Sequence, residues 1–349
     1  MFKGNGIFGA GLTLGGISTY FLLNKQNQTS DQSYNNLFNS NFDKLKNYFS
    51  ITKTKQDDQQ VDSQTESTKL ATTGGSPISD PNIANGQEAL RYGYPGPIND
   101  NGIRKSYAYS YNRIFKNPNW IAEHITKENL KGDSNRKNSD FVEDKSIPKL
   151  FRALLSDYMR SGYDRGHLAP AADSKNSQQG MDETFLLTNI SPQVGAGFNR
   201  HYWAFFESFV RNLTKSYDDV YVITGPLYLP NQDPITKKWY VKYEMIGNPP
   251  NVAVPTHFYK IILCKNQNST QFFKQGFVLP NQEISNNKPL QDFVVPVHYI
   301  EKASGLKFFD TINPKKTSVV ELCKHTTCQI KINNNFLDNN KPLSLPPPK

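Results

Sequence analysis

Large apolar side chains are unevenly distributed in this chain, and their distribution limits where a compact domain can form. Residues 26–80 are dominated by Gln, Asn, Ser and Thr, with few large apolar residues after Phe49. Such a stretch buries too little apolar surface to offset the entropy lost on folding. We therefore predict a flexible polar linker over residues 26–80, with at most a short amphipathic helix at residues 37–49. Residues 333–349, which end in SLPPPK, are predicted to be a loose tail, which leaves residues 81–332 as one folded domain.

The N-terminal segment, residues 1–25, carries an uncharged apolar run over residues 7–23 between Lys3 and Lys25. As a helix this run would be ~25 Å long, slightly short of a ~30 Å hydrocarbon core. It lacks an A-x-A cleavage site, and because the first arginine of the chain is Arg91, an Arg-rich presequence is absent. We expect a targeting segment that tethers the protein to a membrane. A Gly-rich disordered or buried segment is the alternative.

The net charge lies entirely in the predicted domain. The chain has 40 Lys+Arg and 31 Asp+Glu, a net charge of +9. Residues 1–80 contain seven Lys and seven acidic residues, so the surplus belongs to residues 81–349. A basic domain indicates an anionic partner, either nucleic acid or a membrane surface. The composition excludes a polytopic membrane protein, a collagen-like fibre and a disulfide-dense mini-domain.

The three cysteines do not form a disulfide framework, since their number is odd and small. Cys323 and Cys328 enclose His325, which gives at most three soft ligands, one short of a closed structural zinc site. One local disulfide and plain free thiols both remain open.

Hydrophobic periodicity within the domain predicts a mixture of helices and strands. Helices are predicted over residues 148–160 and 198–213, and strands over residues 220–224, 258–263, 277–279 and 293–300, the last an edge or bulged strand because it contains Pro296. This order is not a regular βαβ alternation, and it predicts an α+β fold.

The densest group of polar residues is DRGHLAPAAD, residues 164–173. Arg165 can hold a phosphate through two hydrogen bonds, and His167 can take a proton from water near neutral pH. Gly166 would let the backbone turn or approach a ligand closely. The alternative is a surface turn with a structurally satisfied histidine.

A second polar group follows at the start of the helix predicted over residues 198–213. Glu207 and Arg211 lie about 80° and about 120° around a helix from Asn199, so the three can share one polar face. Asn199 could face a cation or cap the helix. Glu207 and Arg211 could equally be an i,i+4 surface pair.

Several motifs together resemble one protein family, the DNA/RNA non-specific endonucleases, and in particular its mitochondrial members. The motifs are DRGHLAPAAD (164–173), MDETFLLTNISPQ (181–193), FNRHYWAFFE (198–207), RYGYPGP (91–97), VYVITGP (220–226) and VPTHFYK (254–260). The resemblance covers roughly residues 85–310. It implies a ββα-metal (His-Me finger) nuclease with a central antiparallel sheet.

The resemblance also implies roles for individual residues. His167 corresponds to the general base, Arg165 lies beside the scissile phosphate, and Glu207 orients water of the metal. Asn199 corresponds to the metal ligand. A Phe206-Glu207 pair stands where many members carry Leu-Glu, a conservative difference.

Four further residues match less central positions of the family. Arg136 and Arg211 match arginines that contact phosphate, although the loop DSNRK around Arg136 aligns loosely. Asn189 and Asp164 match supporting polar residues. Four other histidines are expected to be structural, namely His124, His257, His298 and His325.

The expected activity is a Mg²⁺-dependent endonuclease, with Mn²⁺ as a substitute, that cuts DNA and RNA to 5′-phosphate ends. A single protein ligand suits Mg²⁺, which keeps most of its waters. The family also implies a homodimer, a mitochondrial inner-membrane location facing the intermembrane space and relocation to the nucleus on membrane damage. The N-terminal segment fits secretory targeting almost as well. The alternative functions are a catalytically silent nucleic-acid-binding or tethering protein and a phosphodiesterase for small substrates.

Overall fold

The computed structural model describes residues 98–312 and 317–332. The predicted N-terminal anchor, the polar linker with its short helix, the RYGYPGP motif and the C-terminal tail lie outside these residues. None of the helices in residues 98–312 and 317–332 combines the length and the apolar character that spanning a bilayer requires.

The described residues form fourteen strands and four α-helices. The strands are β1 (Asn99–Ile103), β2 (Tyr107–Asn112), β3 (Asn117–Ile125), β4 (Asp164–His167), β5 (Ile190–Gln193), β6 (Asp219–Leu227), β7 (Asn231–Gln232), β8 (Trp239–Tyr240), β9 (Met245–Ile246), β10 (Val252–Ala253), β11 (His257–Lys265), β12 (Gln271–Pro280), β13 (Val294–Val295) and β14 (Ser318–Glu321). The helices are α1 (Leu155–Tyr158), α2 (Gln178–Glu183), α3 (Ala204–Leu213) and α4 (Val297–Ser304), and a π-helical segment, Gly195–Trp203, leads into α3.

Residues 231–238 belong to a separate unit and form a turn in which the Asp233 carboxylate accepts hydrogen bonds from the backbone of Ile235 and Thr236.

A large central sheet dominates the domain. Its strand order is β1-β2-β3-β6-β11-β12-β13, and β14 pairs with β12 on the same side as β13. Every pair is antiparallel except β12 with β14. Seven consecutive residues of β11 are buried, as expected for a strand covered on both faces. The expected α+β class with a central antiparallel sheet is confirmed.

A second, smaller antiparallel pair carries the DRGH motif. In this ribbon β4 pairs with β5, with Asp164 opposite Gln193 and His167 opposite Ile190. The segment Gly195–Trp203 begins two residues after β5, has a kink at Ala196 and Gly197, and then continues as helix into α3. Two short strands followed by a helix therefore place the two polar groups of the sequence next to each other.

The predicted helix over residues 198–213 is confirmed: Ala196 and Gly197 have non-helical backbone angles, and helical structure runs from Phe198 into α3. Its apolar face is buried as the periodicity indicates: Tyr202, Phe206, Phe209, Val210 and Leu213. Aromatic contacts join this face to the central sheet, since Phe206 packs edge-on against Phe277 at 5.0 Å and Trp203 lies 5.7 Å from Phe258. The sheet and α3 thus enclose one aromatic core.

The prediction of one helix over residues 148–160 is wrong. The segment contains a 3₁₀ turn at Lys149–Phe151, an extended stretch and the single-turn helix α1. The backbone N–H of Ala153 donates to the Tyr111 hydroxyl, and that of Leu154 donates to the Asp157 carboxylate. Because the distant Tyr111 and the local Asp157 side chain use donors that a continuous helix needs, the apolar periodicity does not become a helix.

The strand predicted over residues 293–300 is also mostly wrong. Only Val294–Val295 pairs with β12, and Pro296 is the N-cap of α4. Proline suits that place because it lacks an N–H and its φ is already close to helical. Gly305, with φ of 72°, ends the helix in the left-handed conformation.

The structure defines the state of the three cysteines and the position of Gly166. Cys323 and Cys328 form a disulfide, while Cys264 is a buried free thiol. Gly166 lies inside β4 rather than in a turn, and a Cβ there would come within 2.1 Å of the Gln193 side chain. The close approach that requires glycine at this position is therefore to Gln193.

Candidate active site

His167 is the last residue of β4, and the chain that follows it is clamped by Asn189. The Asn189 side chain is buried, accepts a hydrogen bond from the N–H of Ala169 and donates to its carbonyl, both at 2.9 Å. It also donates to the carbonyl of Thr184 at 2.7 Å. Asn189 therefore fixes the backbone on which His167 is carried, a placement in keeping with the expected supporting residue.

The imidazole of His167 lies between two phenylalanine rings. Phe185 meets it edge-on with ring centroids 4.6 Å apart, and Phe141 lies at 5.3 Å. The residue is 8% exposed, and its Nε2 is buried without a hydrogen-bond partner. Burial, with a further contribution from the positive charge of Arg136, lowers the pKa of His167 to about 3. The imidazole is consequently neutral near pH 7.

An arginine guanidinium lies over each of these two rings. The guanidinium of Arg165 lies over the Phe141 ring at 4.4 Å, and that of Arg136 lies over the Phe185 ring at 5.5 Å. Both arginines are exposed. The structure thus brings two positive charges from separate segments to the rings that contact His167, although the sequence aligned Arg136 only loosely. A neutral imidazole between two exposed arginines suits an anionic substrate.

At the other end of β4, the Asp164 carboxylate accepts hydrogen bonds from Asn199 and Arg200. One carboxylate oxygen accepts from the Asn199 amide at 2.9 Å, and Arg200 forms a two-point ion pair with both oxygens. Asn199 lies inside the π-helical segment, so the alternative that it caps the helix is wrong. Gly197, with φ of 77°, breaks the helical backbone just before it.

Asn199 offers a metal ion one side-chain amide oxygen. A carboxylate can only accept, so the Asn199 amide turns its Nδ2 toward Asp164 and leaves Oδ1 directed elsewhere. Within residues 98–312 and 317–332 there is no group of three or more His, Cys, Asp or Glu side chains that could hold a metal ion. A lone amide oxygen suits a hard cation that keeps its waters and does not suit tetrahedral zinc.

Glu207 and Arg211 lie on α3 but do not form the surface pair considered from the sequence. Arg211 donates instead to the buried carboxylate of Asp173 at 2.9 Å. Glu207 is half-buried, and desolvation raises its pKa to about 7 against the favourable charges of Lys260 and Arg211. Glu207 therefore changes charge near neutral pH.

Lys260, which lies in β11, was not predicted from the sequence as a site residue. It is 1% exposed, donates to the Thr224 hydroxyl at 2.8 Å and lies over the Trp203 ring at 4.8 Å. Its ammonium also reaches the carbonyl of Leu168, the residue after His167, at 3.3 Å. A lysine within the apolar run FYKIIL was the available signal, because a buried lysine must be paired.

Three of the four histidines expected to be structural contact nearby side chains. His257 is bonded to the Thr256 hydroxyl, His124 to Asp219, and His325 packs edge-on against Phe273. His298 lies on α4 rather than in a strand and packs against the ring of Tyr299.

Comparisons with known proteins extend these observations over most of the chain. A family model described as DNA/RNA non-specific endonuclease matches residues 85–315. The mitochondrial nuclease of Saccharomyces cerevisiae is 50% identical over 269 residues, which cover 74% of this chain and 81% of the yeast protein. The mitochondrial endonuclease G of Bos taurus is 42% identical over 225 residues, covering 64% of this chain and 74% of the bovine one.

A solved structure of a similar protein also matches this chain. A chain in the crystal structure of the EndoG/EndoGI complex is 44% identical, superposes with a TM-score of 0.61, and the match covers 70% of this chain and 98% of that one. Motifs, fold and relatives agree: this chain belongs to the DNA/RNA non-specific endonucleases, a family of nucleic-acid hydrolases.

Proposed function

We propose that this endonuclease is Mg²⁺-dependent and sugar-non-specific, that it cuts both DNA and RNA, and that His167 is its general base. The observation that carries the proposal is the environment of His167, an unprotonated imidazole whose two ring neighbours each hold an exposed arginine. In this proposal β4, β5 and the helical segment after them constitute a ββα-metal (His-Me finger) element.

In the proposed reaction, His167 takes a proton from a water molecule that attacks the phosphorus in line with the departing 3′ oxygen. The new P–O bond forms as the P–O3′ bond breaks, and the 3′ oxygen leaves as a hydroxyl after taking a proton from solvent. The products carry a 5′-phosphate and a 3′-hydroxyl. Burial is the larger cause of the low pKa of His167, and a bound phosphate would offset the smaller one, the charge of Arg136.

The other site residues act on charge and orientation. Arg165 and Arg136 would bind the phosphate on the His167 side, and Arg211 would add a contact through guanidinium donors not used by Asp173. Glu207 in its ionised form would accept a hydrogen bond from water in the site and orient it. Asp164 would hold Asn199 in place.

Asn199 is the residue that would hold the metal ion, through Oδ1. When bound, Mg²⁺, or Mn²⁺ as a substitute, would supply charge neutralisation for the phosphate and for the departing oxygen. The proposed contacts address phosphate and metal rather than base edges, so we expect weak sequence preference and binding that weakens with salt.

The test is cleavage by the full-length protein of supercoiled plasmid, single-stranded RNA and the small diester bis(p-nitrophenyl) phosphate, in Mg²⁺, Mn²⁺ and EDTA. Cutting of both polymers only with metal supports the proposal. Binding of both polymers without cutting in any metal would favour the silent tethering protein. Preference for the small diester over both polymers would favour the small-substrate phosphodiesterase.

We further propose that the protein is mitochondrial and attached to the inner membrane, facing the intermembrane space, through residues 1–25. The supports are the names of the yeast and bovine relatives and the apolar run between Lys3 and Lys25. Protease protection in isolated mitochondria and mitoplasts, and carbonate extraction, test the location and the attachment. Nuclear relocation on membrane damage rests on family resemblance alone, and imaging after permeabilisation tests it.

A homodimer is proposed on the same resemblance. The exposed apolar side chains of Tyr240, Val241, Tyr243 and Met245, clustered along one short stretch, are a suitable surface for self-association. Sedimentation velocity of the purified protein, compared with the Val241→Lys variant, tests it.

A further inference from the structure

The strongest unassigned feature is the buried charge cluster beneath Glu207, with Lys260 at its centre. Burying an ammonium is costly unless it is hydrogen-bonded and paired with opposite charge. Its two hydrogen bonds run in different directions: one to Thr224 on the neighbouring strand β6, and one out of the sheet to the carbonyl of Leu168. Lys260 thereby joins the central sheet to the backbone that carries His167.

Three carboxylates interact with the same ammonium from three different elements. They are Glu123 on β3, Asp173 in the turn after β4 and Glu207 on α3. Glu123 is buried and its Oε2 has no hydrogen-bond partner. The other cations are Arg211, which is paired with Asp173, and the exposed Arg136, whose charge also reaches Glu207.

The cluster has few buried cations to balance its carboxylates. With Arg211 committed to Asp173, Lys260 is the buried cation left to balance Glu123 and Glu207 within the described residues. Removing it would leave two carboxylates that repel each other in a desolvated space, where one of them has to stay protonated. Burial already raises the pKa of Glu123 and of Glu207.

We propose that Lys260 is a positioning residue of the nuclease site: it holds the carbonyl that follows His167 and favours the ionised form of Glu207. It touches neither substrate nor metal in this account and acts through its neighbours. The inference rests on the role proposed above for Glu207. It differs from a purely structural role because it predicts a change in the pH dependence of cleavage.

The experiment compares four forms of the full-length protein: wild type, Lys260→Met, Lys260→Arg and Thr224→Val. The pH profile of kcat/KM for plasmid cleavage is measured in saturating Mg²⁺ from pH 5.5 to pH 9. Lys260→Met keeps an unbranched chain without the charge, Lys260→Arg keeps the charge, and Thr224→Val removes one hydrogen-bond partner while Lys260 stays.

We expect the acidic limb to move to higher pH in Lys260→Met, so that its deficit relative to wild type is on the order of tenfold larger at pH 6 than at pH 8.5. The limb should stay in place in Lys260→Arg and Thr224→Val, even if their rates fall. A deficit in Lys260→Met that is equal at every pH would overturn the inference while leaving the nuclease proposal intact.

Two further outcomes are informative. If Lys260→Met does not fold, as judged by circular dichroism, Lys260→Gln replaces it, because an amide can still donate to Thr224 and to the Leu168 carbonyl without carrying charge. The same shift is expected, and an unmoved limb in that variant overturns the inference. Failure of the wild type to cut in Mg²⁺ would instead overturn the proposed function.

Discussion

The side-chain amide of Asn199 donates a hydrogen bond to the carboxylate of Asp164 over 2.9 Å, across the junction between β4 and the helical segment. A carboxylate accepts only, so this contact decides which end of the amide remains available. The Asp164→Asn substitution would keep the shape but allow the Asn199 amide to flip. We expect it to raise the Mg²⁺ concentration needed for half-maximal cleavage by about 10–100-fold, with part of the maximal rate retained at high Mg²⁺.

A matched control separates this effect from the ion pair that shares the carboxylate. Arg200→Gln removes the pair with Asp164 but leaves the hydrogen bond to Asn199. Its Mg²⁺ dependence should stay close to that of the wild type. An equal shift in both variants would contradict the assignment of the amide contact, as would a flat response in Asp164→Asn.

Removal of Arg136 should change the salt dependence of substrate binding. Each phosphate contact contributes about one unit to the slope of log K against log salt, so Arg136→Gln should lower that slope by about one. The exposed Lys307, which lies near Glu301, provides the control, and Lys307→Gln should leave the slope unchanged. Fluorescence anisotropy with a DNA duplex in Ca²⁺ measures both. A slope equal to wild type in Arg136→Gln would exclude this phosphate contact.

Replacement of Glu207 should stabilise the fold at alkaline pH while abolishing activity. Burial raises the pKa of this carboxyl from 4.5 to about 7 in the folded state, so the native protein binds more protons than the unfolded chain between these values. Stability therefore falls as pH rises from about 4.5 to about 7, and the ionised form is a cost above that range. Glu207→Gln removes the cost, on the order of 1–3 kcal/mol at pH 8, and gives no such gain at pH 4.5.

Urea unfolding of wild type and Glu207→Gln at pH 4.5, 6 and 8 measures this difference. A gain that grows with pH is the expected pattern. A variant less stable than wild type at pH 8 would show that Glu207 is held in its ionised form by more favourable contacts than those described.

Features of the fold that depend on neighbouring residues could be predicted from the sequence, and those that depend on distant partners could not. The face of α3 buries Phe206 and Phe209 because helical spacing is local. The segment 149–158 has helical spacing too, but the hydroxyl of the distant Tyr111 takes the backbone donor of Ala153, and periodicity does not report such a contact. Pro296 fitted an edge strand as well as a helix start, and Gly305 nine residues later was the missed signal for a helix.

The candidate site shows the same division. His167 and Asn199 could be identified because their motifs are contiguous in sequence. The rings of Phe141 and Phe185 around His167, and the pairing of Arg211 with Asp173, join segments far apart in the chain. Lys260 was visible only as a lysine inside an apolar strand, and its partners follow from sheet register and from packing of the DRGH ribbon on the sheet.

The role of His167 is the central claim, and His167→Ala in the full-length protein tests it most directly. The initial rate of supercoiled plasmid cleavage in Mg²⁺ should fall by about 10²–10⁴-fold. Duplex binding in Ca²⁺ and the circular dichroism spectrum should stay close to wild type, because the imidazole makes no hydrogen bond through Nε2 that the fold would lose. Cleavage at the wild-type rate by a folded His167→Ala protein would contradict the account.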